Sequence, residues 1–358
     1  MSSANPDSHT ASVTQSPQIG LNLTARLIRA SGILLILLAA AVALGASVGA
    51  VMVSPAEVAK VIGNHILQTS FAVPETVDRI VWQIHIPRML LGALVGMCLA
   101  MAGAALQGLL LNPLADPYII GVSSGAALGA GIAVLLGLSG LLMGFGVPLF
   151  AFLSALLAAA AVYALARRGA TVSMLSFILA GVVVGSFMWA VLTFVISIAG
   201  QDLEKIVFWT MGSLAGPDPW SRVLVVAPFA LVGFLVLYAF SRDLNIFALG
   251  EESARYLGLE VESLKRIIIG TTALITAAAV SVSGTIGFIG LMVPHICRRL
   301  VGPDHRILIP CSALLGATFT IAADAAARTV MAPGEVPIGV ITALLGAPFF
   351  LYLLRRTD

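Results

Sequence analysis

The stretch SGILLILLAAAVALGASVGAVMV, residues 31–53, contains no charged residue and is long enough to cross a bilayer as a helix, which takes about 20 apolar residues. Arg26 and Arg29 precede this run, as basic residues precede the apolar region of a signal peptide. The run is longer than such an apolar region, so it predicts an uncleaved first span. Of the 358 residues, 59% are hydrophobic and 10% are charged, whereas soluble domains carry about 25% charged residues. Because the apolar runs are unbroken rather than alternating, they predict an all-α integral membrane protein and not a β-barrel.

The apolar runs predict about ten transmembrane helices. The third and the eighth are interrupted by glycine and proline, which are tolerated at membrane depth only inside protein or beside a water-filled cavity. The predicted spans are 31–53, 86–108, 117–137, 147–166, 172–198, 222–240, 266–283, 286–299, 307–330 and 337–354.

Most of the 19 lysine and arginine residues fall on one side of these spans, which predicts that this side, with both termini, is cytoplasmic. Residues 1–24 are rich in serine, threonine and proline and are predicted to form a disordered cytoplasmic tail. Residues 25–358 are predicted to form the ten-helix membrane domain, with a charged cytoplasmic loop at 241–265.

The charged loop contains ALGEESARYLGL, residues 248–259, which predicts a helix of about two turns. Glu251 and Glu252 lie in its first turn, where they complement the helix dipole. Glu251 and Arg255 can pair because they are four residues apart, and Gly258 can end the helix. Two interpretations follow: a surface helix that lies on lipid headgroups, and a docking site for a cytoplasmic protein.

Several kinds of site are missing from the sequence. The chain has three lysines and none follows a glycine, so it contains no phosphate-binding P-loop. If transport is driven by ATP, the ATPase must therefore be a separate subunit. Cys98, Cys297 and Cys311 lack metal-ligand spacing and are predicted to be packing residues. With so few charges, the chain does not suit nucleic-acid binding.

Three stretches together resemble one family: NPLADPYIIGVSSGAALGA (112–130), ALGEESARYLGL (248–259) and GTIGFIGLMVPHICRRLVGPDHR (284–306). They are flanked by IPRMLLGALVG (86–96) and VPIGVITALLGAPFF (336–350). Through these motifs the chain resembles, over roughly residues 30–356, the FecCD-type permease subunits of ABC importers for ferric siderophores, haem or cobalamin.

The resemblance implies a non-catalytic permease with the type II ABC importer architecture, in the inner membrane of a bacterium. It implies a homodimer, or a pseudo-dimer with a similar chain, together with two ATPase subunits in the cytoplasm and a periplasmic substrate-binding protein. No cofactor is implied for this chain, because ATP and Mg bind the partner ATPase. No residue decides which chelate is carried.

The resemblance also implies roles for individual residues. The charged loop becomes the element that couples the permease to the ATPase, through Gly250, Glu251, Ala254, Arg255, Leu257 and Gly258. His85, Arg88 and Arg328 are expected to dock acidic residues of the binding protein, although the family often carries arginine in place of His85. The alternatives are that the arginines only reach the membrane interface, and that Arg328 pairs with Asp324 four residues earlier.

Polar residues around the small-residue stretch 121–131 are candidates for the translocation pathway and its cytoplasmic gate. They are Gln107, Asn112, Ser123 and Ser124, and helix packing is the other interpretation. His295 is expected to be a hydrogen-bonded structural histidine, in a helix broken by Pro294.

Two other functions are weighed against the importer. An ion-coupled secondary transporter usually keeps acidic residues at mid-membrane, and Asp324 is almost the only candidate for such a residue. A membrane enzyme would need clustered carboxylates or a metal-binding pattern, which the predicted spans lack.

Overall fold

The computed structural model describes residues 18–355 apart from residues 50 and 333, and these residues form a helical bundle. The helices are α1 (Gln18–Ser47), α2 (Pro55–Ile66), α3 (Glu75–Arg79), α4 (Ile86–Leu109), α5 (Val122–Leu135), α6 (Gly146–Ala166), α7 (Met174–Ile198), α8 (Leu203–Thr210), α9 (Pro219–Ala239), α10 (Ser241–Phe247), α11 (Glu251–Tyr256), α12 (Val261–Ser283), α13 (Ile289–Val301), α14 (His305–Thr329) and α15 (Ile338–Leu354). Two short strands, β1 (Arg167–Arg168) and β2 (Thr171–Val172), form an antiparallel hairpin.

Short helical turns join some of these elements. The π-helix Ile80–His85 links α3 to α4 without a gap, and 3-10 turns lie at Pro117–Ile120, Leu138–Gly144 and Gly200–Asp202. Helix α1 begins at Gln18, so residues 18–24 are helical and the predicted tail boundary at residue 24 is wrong. The rest of the predicted tail, residues 1–17, lies outside the described residues.

The predicted membrane fold is confirmed. Within the described ranges, seven helices are long and apolar enough to cross a membrane, and α5 with the bent turn after it makes an eighth candidate. Together with the shorter helices α13 and α15, they occupy the ten predicted segments. The first span ends earlier than predicted, since α1 ends at Ser47 rather than near residue 53.

The eighth span is short because the chain breaks before it. Gly284 ends α12 with a φ of +66°, and a Cβ at this position would lie 2.2 Å from the carbonyl oxygen of Trp209. Phe288, with a φ of +69°, then starts α13. Pro294 lies inside α13 without ending it, so the predicted break at Pro294 is wrong and the break is at 284–288. A helix of this length rises only about 20 Å, less than the bilayer core.

Helix α4 forms the centre of the bundle and is buried along nearly its whole length. It packs against α9, α12, α13 and α14. Glycines allow the closest approaches, with Gly96 against Gly316 and Gly103 against Gly290. Because lipid removes the hydrophobic drive between helices, close van der Waals packing of this kind holds a membrane bundle together.

We expect Gly103→Ala to destabilise the bundle by about 1–3 kcal/mol or more, the cost of overpacking a tight interface. The reason is that a Cβ on Gly103 would lie 1.8 Å from the carbonyl oxygen of Gly290, so the backbone of α13 would have to move. Gly270→Ala in α12 is the matched control, because a Cβ there meets no atom within 4 Å. Thermal unfolding of both purified variants measures the difference, and equal melting temperatures would contradict the close packing.

The two ends of the bundle carry different groups. One end holds α11, the β1–β2 hairpin and the turn at 302–304, and it is called the basic face because most lysines and arginines lie there. The other end holds the α3–α4 junction, the start of α9 and the end of α14, and it is called the opposite face.

Candidate functional site

A short charged helix, α11, lies on the basic face where the sequence predicted it. Gly250 precedes it with a φ of +103° and Gly258 follows it with a φ of +86°, backbone angles that favour glycine. At its end, the Gly258 N–H donates to the Arg255 carbonyl and the Leu259 N–H donates to the Ala254 carbonyl, both at 3.0 Å. This pair of hydrogen bonds is a Schellman cap, so Gly258 ends the helix as predicted.

Lys265, near the start of α12, ties α11 to the bundle. Its side chain is 1% exposed, and Nζ donates to Glu251 at 2.9 Å, to Glu262 at 3.1 Å and to the Val172 carbonyl at 2.9 Å. Arg255 donates to the same two carboxylates, at 2.7 and 3.2 Å, which confirms its predicted pairing with Glu251. The Val172 N–H also donates to Glu262, at 2.9 Å. These four charged side chains, called the Lys265 hub, join α11, α12 and the β1–β2 hairpin.

The Lys265 hub keeps Glu251 ionised. Partial burial alone would raise the pKa of Glu251, but the hydrogen bonds from Lys265 and Arg255 outweigh burial and the pKa is lowered. Since the folded pKa lies below the ordinary value, the contribution of Glu251 to stability is present at neutral pH. That contribution is lost only as the pH falls through the lowered pKa.

The surface of the α11 region carries exposed apolar side chains. Leu249, Tyr256 and Leu257 are 65%, 92% and 64% exposed, and these three residues are called the α11 patch. Large apolar side chains exposed at a polar surface mark interaction sites. Ala254 is fully buried against the bundle and is not part of the α11 patch, and its role as a contact residue stays a prediction. Tyr256 was not among the predicted contact residues, although an aromatic residue inside a charged loop was a usable signal.

Helix α10 connects the α11 region to the start of α14. The Asn245 side chain donates to Asp304 at 2.7 Å and accepts from the His305 N–H at 2.9 Å. The hydrogen bond from Arg306 has the largest effect on Asp304 and, with that from Asn245, lowers its pKa to about 2. Asp304 therefore stays ionised and fixes α10 to the turn before α14 at neutral pH.

The opposite face contains a buried ion cluster that joins α4 and α14. The Arg88 guanidinium donates to both oxygens of Asp324, at 2.9 and 3.1 Å, and to both oxygens of Glu335, at 2.9 Å. Arg328 lies 3.1 Å from Asp324, which confirms their predicted pairing. The positive charges of the two arginines balance the negative charges of Asp324 and Glu335. Held by two arginines, Asp324 is not a free carboxylate of the kind that couples an ion to transport.

The predicted docking residues His85, Arg88 and Arg328 are not free surface cations. All three side chains are buried, with 4–7% of each residue exposed. His85 Nδ1 lies 2.8 Å from the Ala46 carbonyl oxygen, and Arg328 Nη2 donates to the Gly45 carbonyl at 2.9 Å. The end of α1 and the acids of the ion cluster cover them. Their role in docking the binding protein stays a prediction.

Gln107, a predicted pathway residue, is buried in a helix interface. Its side-chain oxygen accepts from Arg298 at 2.9 Å, and its amide donates to the Leu291 carbonyl at 3.2 Å. These bonds tie the end of α4 to α13, which favours the packing interpretation for Gln107.

The other three predicted pathway residues lie near the turn between α4 and α5. Asn112 is exposed and its side chain accepts from the Leu114 N–H at 2.9 Å. Ser124 donates to the Gly121 carbonyl at 3.0 Å, and Ser123 is half-buried. The hydrogen bonds of Asn112 and Ser124 support the local backbone, and a role in the pathway stays a prediction for all three.

An apolar cleft of about 460 Å³ opens at the break between α12 and α13. No local sequence pattern locates this cleft, because its walls come from segments far apart in the chain. The lining residues include Thr210, Met211, Thr285, Phe288, Gly339 and Leu344.

His295 packs against aromatic rings instead of forming hydrogen bonds. Its ring centroid lies 6.1 Å from that of Phe349 and 6.4 Å from that of Phe350 in α15, both edge-on. Both ring nitrogens are buried without a hydrogen-bond partner in the part of the chain that the structure describes. The predicted hydrogen-bonded structural role is therefore wrong.

Comparisons with known proteins agree with this architecture. The cobalamin import system permease of Halobacterium salinarum is 46% identical over 80% of this chain and 76% of its own length. The hemin transport system permease of Yersinia pestis is 41% identical over 77% of this chain and 82% of its own length. A solved metal-chelate type ABC transporter in an inward-facing conformation superposes with a TM-score of 0.79 at 31% identity, covering 90% of this chain and 97% of that one. Residues 35–356 match the family model itself, and this multi-pass membrane protein belongs to the FecCD transport family.

Proposed function

We propose that the chain is the permease subunit of an ATP-driven importer that moves a bulky metal chelate from the periplasm to the cytoplasm. The observation that carries the proposal is the exposed α11 patch, held to the bundle by the Lys265 hub. A segment that passes motion from an ATPase to the spans needs an apolar surface for the partner and a rigid attachment. Helix α11 has both, and the sequence has no P-loop of its own.

The positive-inside rule supports the orientation. Since most lysines and arginines lie on the basic face, this face is assigned to the cytoplasm together with both termini. The α11 patch then meets the ATPase, which binds ATP and Mg, while the opposite face meets a periplasmic substrate-binding protein. The chain itself is a non-catalytic subunit.

The names of the relatives support the cargo class. One is a cobalamin permease, another a hemin permease, and the solved relative is a metal-chelate transporter. Such cargo is large and needs a wide path. We assign the path to the cleft at the α12–α13 break, completed by a second copy of the chain, because its lining is mostly apolar and the space beside Gly287 is open.

The test is association with the ATPase. Leu257→Asp places a charge in the α11 patch, and we expect it to weaken binding of the cognate ATPase subunit at least tenfold, since truncating a central interface residue costs about 2 kcal/mol or more. Leu67→Asp is the matched control, because Leu67 is an equally exposed leucine near the opposite face. Binding of the ATPase to each purified variant measures the effect.

Equal ATPase affinity for Leu257→Asp and Leu67→Asp would contradict docking at α11. Ala254→Arg is unsuitable for this purpose, because Ala254 is fully buried and a buried charge would disrupt the fold of α11 itself.

A further inference from the structure

A groove on the basic face lies between α1 and the end of α13. It has a volume of about 450 Å³ and is lined by Arg29, Ala30 and Ile33 from one side and by residues 299–302 from the other. Arg29 and Arg299 are both exposed, and neither forms an ion pair with any carboxylate among the described residues. Two uncompensated guanidinium groups therefore border one cavity.

The groove is apolar between these charges and continues along a lipid-facing helix. Ile33 is 61% exposed and Leu300 is 70% exposed at its walls. Beyond the groove, Ile36 and Leu44 continue the exposed apolar face of α1. In the apolar span of this helix, Leu27–Ser47, only 11% of the most apolar stretch is buried inside the protein. From Arg29 to Leu44 the helix rises about 22 Å, more than the ~15 Å of one hydrocarbon leaflet. An amphipathic molecule with a charged head and long chains fits this surface.

We propose that the groove binds an anionic phospholipid of the leaflet at the basic face. Its phosphodiester lies between Arg29 and Arg299, because guanidinium groups match phosphate oxygens in geometry and charge. Its acyl chains lie along Ile33 and the exposed face of α1. A protein segment is the poorer occupant, because the apolar surface leads up α1 into the bilayer rather than into solvent.

The headgroup chemistry favours phosphatidylglycerol. The last carbonyl groups of a helix have no partners within it. Helix α13 ends at Val301, and the space beside the Cα of the next residue, Gly302, is open. Glycerol hydroxyls can donate to such carbonyls while the phosphate remains with the arginines. The bound lipid links α1 to α13 at the end of the bundle where Gln107 already ties α13 to α4.

The test uses the full-length chain in nanodiscs of phosphatidylglycerol and phosphatidylcholine, with retained lipid counted by native mass spectrometry. The double variant Arg29→Gln/Arg299→Gln is expected to bind phosphatidylglycerol about 30-fold more weakly, roughly fivefold for each arginine removed. The matched control is Arg168→Gln/Arg242→Gln, which removes the same charge from exposed positions of the basic face outside the groove.

The control variant should retain phosphatidylglycerol like the wild type, and circular dichroism should show both variants folded. Equal loss of lipid from both double variants would overturn the proposal, because the attraction would then come from total surface charge. Retention of phosphatidylcholine as strongly as phosphatidylglycerol would overturn it as well. So would unchanged lipid binding together with weaker ATPase binding by Arg29→Gln/Arg299→Gln, since the groove would then be a protein contact.

Discussion

Lys265→Met will release α11 from the bundle while leaving the spans folded. The substitution keeps much of the side-chain volume and removes the buried ammonium group that joins Glu251, Glu262 and the Val172 carbonyl. Breaking a fully buried ion pair costs about 3–5 kcal/mol, and we expect roughly 2–3 kcal/mol here because both carboxylates are partly exposed. Amide hydrogen exchange in α11 should accelerate roughly 30- to 150-fold, as local opening becomes more favourable by that amount.

Hydrogen exchange of purified Lys265→Met measures this effect directly. Lys205→Met is the matched control, since Lys205 forms only an exposed pair with Asp202 on the other end of the bundle. Lys265→Arg should restore part of the protection by keeping the charge. If α11 in Lys265→Met exchanges as slowly as in Lys205→Met, the Lys265 hub does not hold the helix.

Arg88→Met will destabilise the whole bundle rather than one helix. It removes the cation that binds Asp324 and Glu335 and leaves a carboxylate buried between α4 and α14. We expect a loss of about 3–5 kcal/mol in the free energy of unfolding, near the lower value because Arg328 still pairs with Asp324.

Thermal or denaturant unfolding of Arg88→Met in detergent tests the ion cluster. Arg79→Met is the matched control, because Arg79 pairs with Glu75 at an exposed position where ion pairs contribute about 0–1 kcal/mol. A similar loss of stability in the two variants would show that the ion cluster contributes no more than a surface pair.

Helices α10 and α14 connect the α11 region with the ion cluster on the opposite face. Helix α10 follows α9 and is fixed through Asn245 to the turn at Asp304, and that turn begins α14. The far end of α14 carries Asp324 and Arg328. Helix α14, about 38 Å long, therefore runs from the turn at Asp304 to the ion cluster.

Hydropathy and local turn chemistry were enough to place most of the fold. The ten apolar runs correspond to helices. Helix α11 lies between Gly250 and Gly258, as the sequence of the charged loop predicted. The break before α13 was misplaced at Pro294. Pro294 lies inside α13 without ending it, whereas the break depends on the positive φ angles of Gly284 and Phe288 and on close contact with the end of α8.

Tertiary contacts explain which features of the candidate site the sequence could not predict. Arg88 meets Glu335 only because α4 and the segment after α14 lie side by side, and no local pattern connects positions 247 residues apart. Ala254 lies in a helix of six residues, which is too short to show which side is buried. The Lys265 hub was missed for the same reason, since its carbonyl partner lies 93 residues away in the β1–β2 hairpin.

Uptake into liposomes tests the proposed importer function directly. The chain is reconstituted with its ATPase and binding protein, and entry of cobalamin, haem and a ferric siderophore is measured with and without trapped ATP. We expect ATP-dependent uptake of one chelate by the wild type and its loss in Leu257→Asp. Uptake that follows an ion gradient without ATP, or that is unchanged in Leu257→Asp, would contradict it.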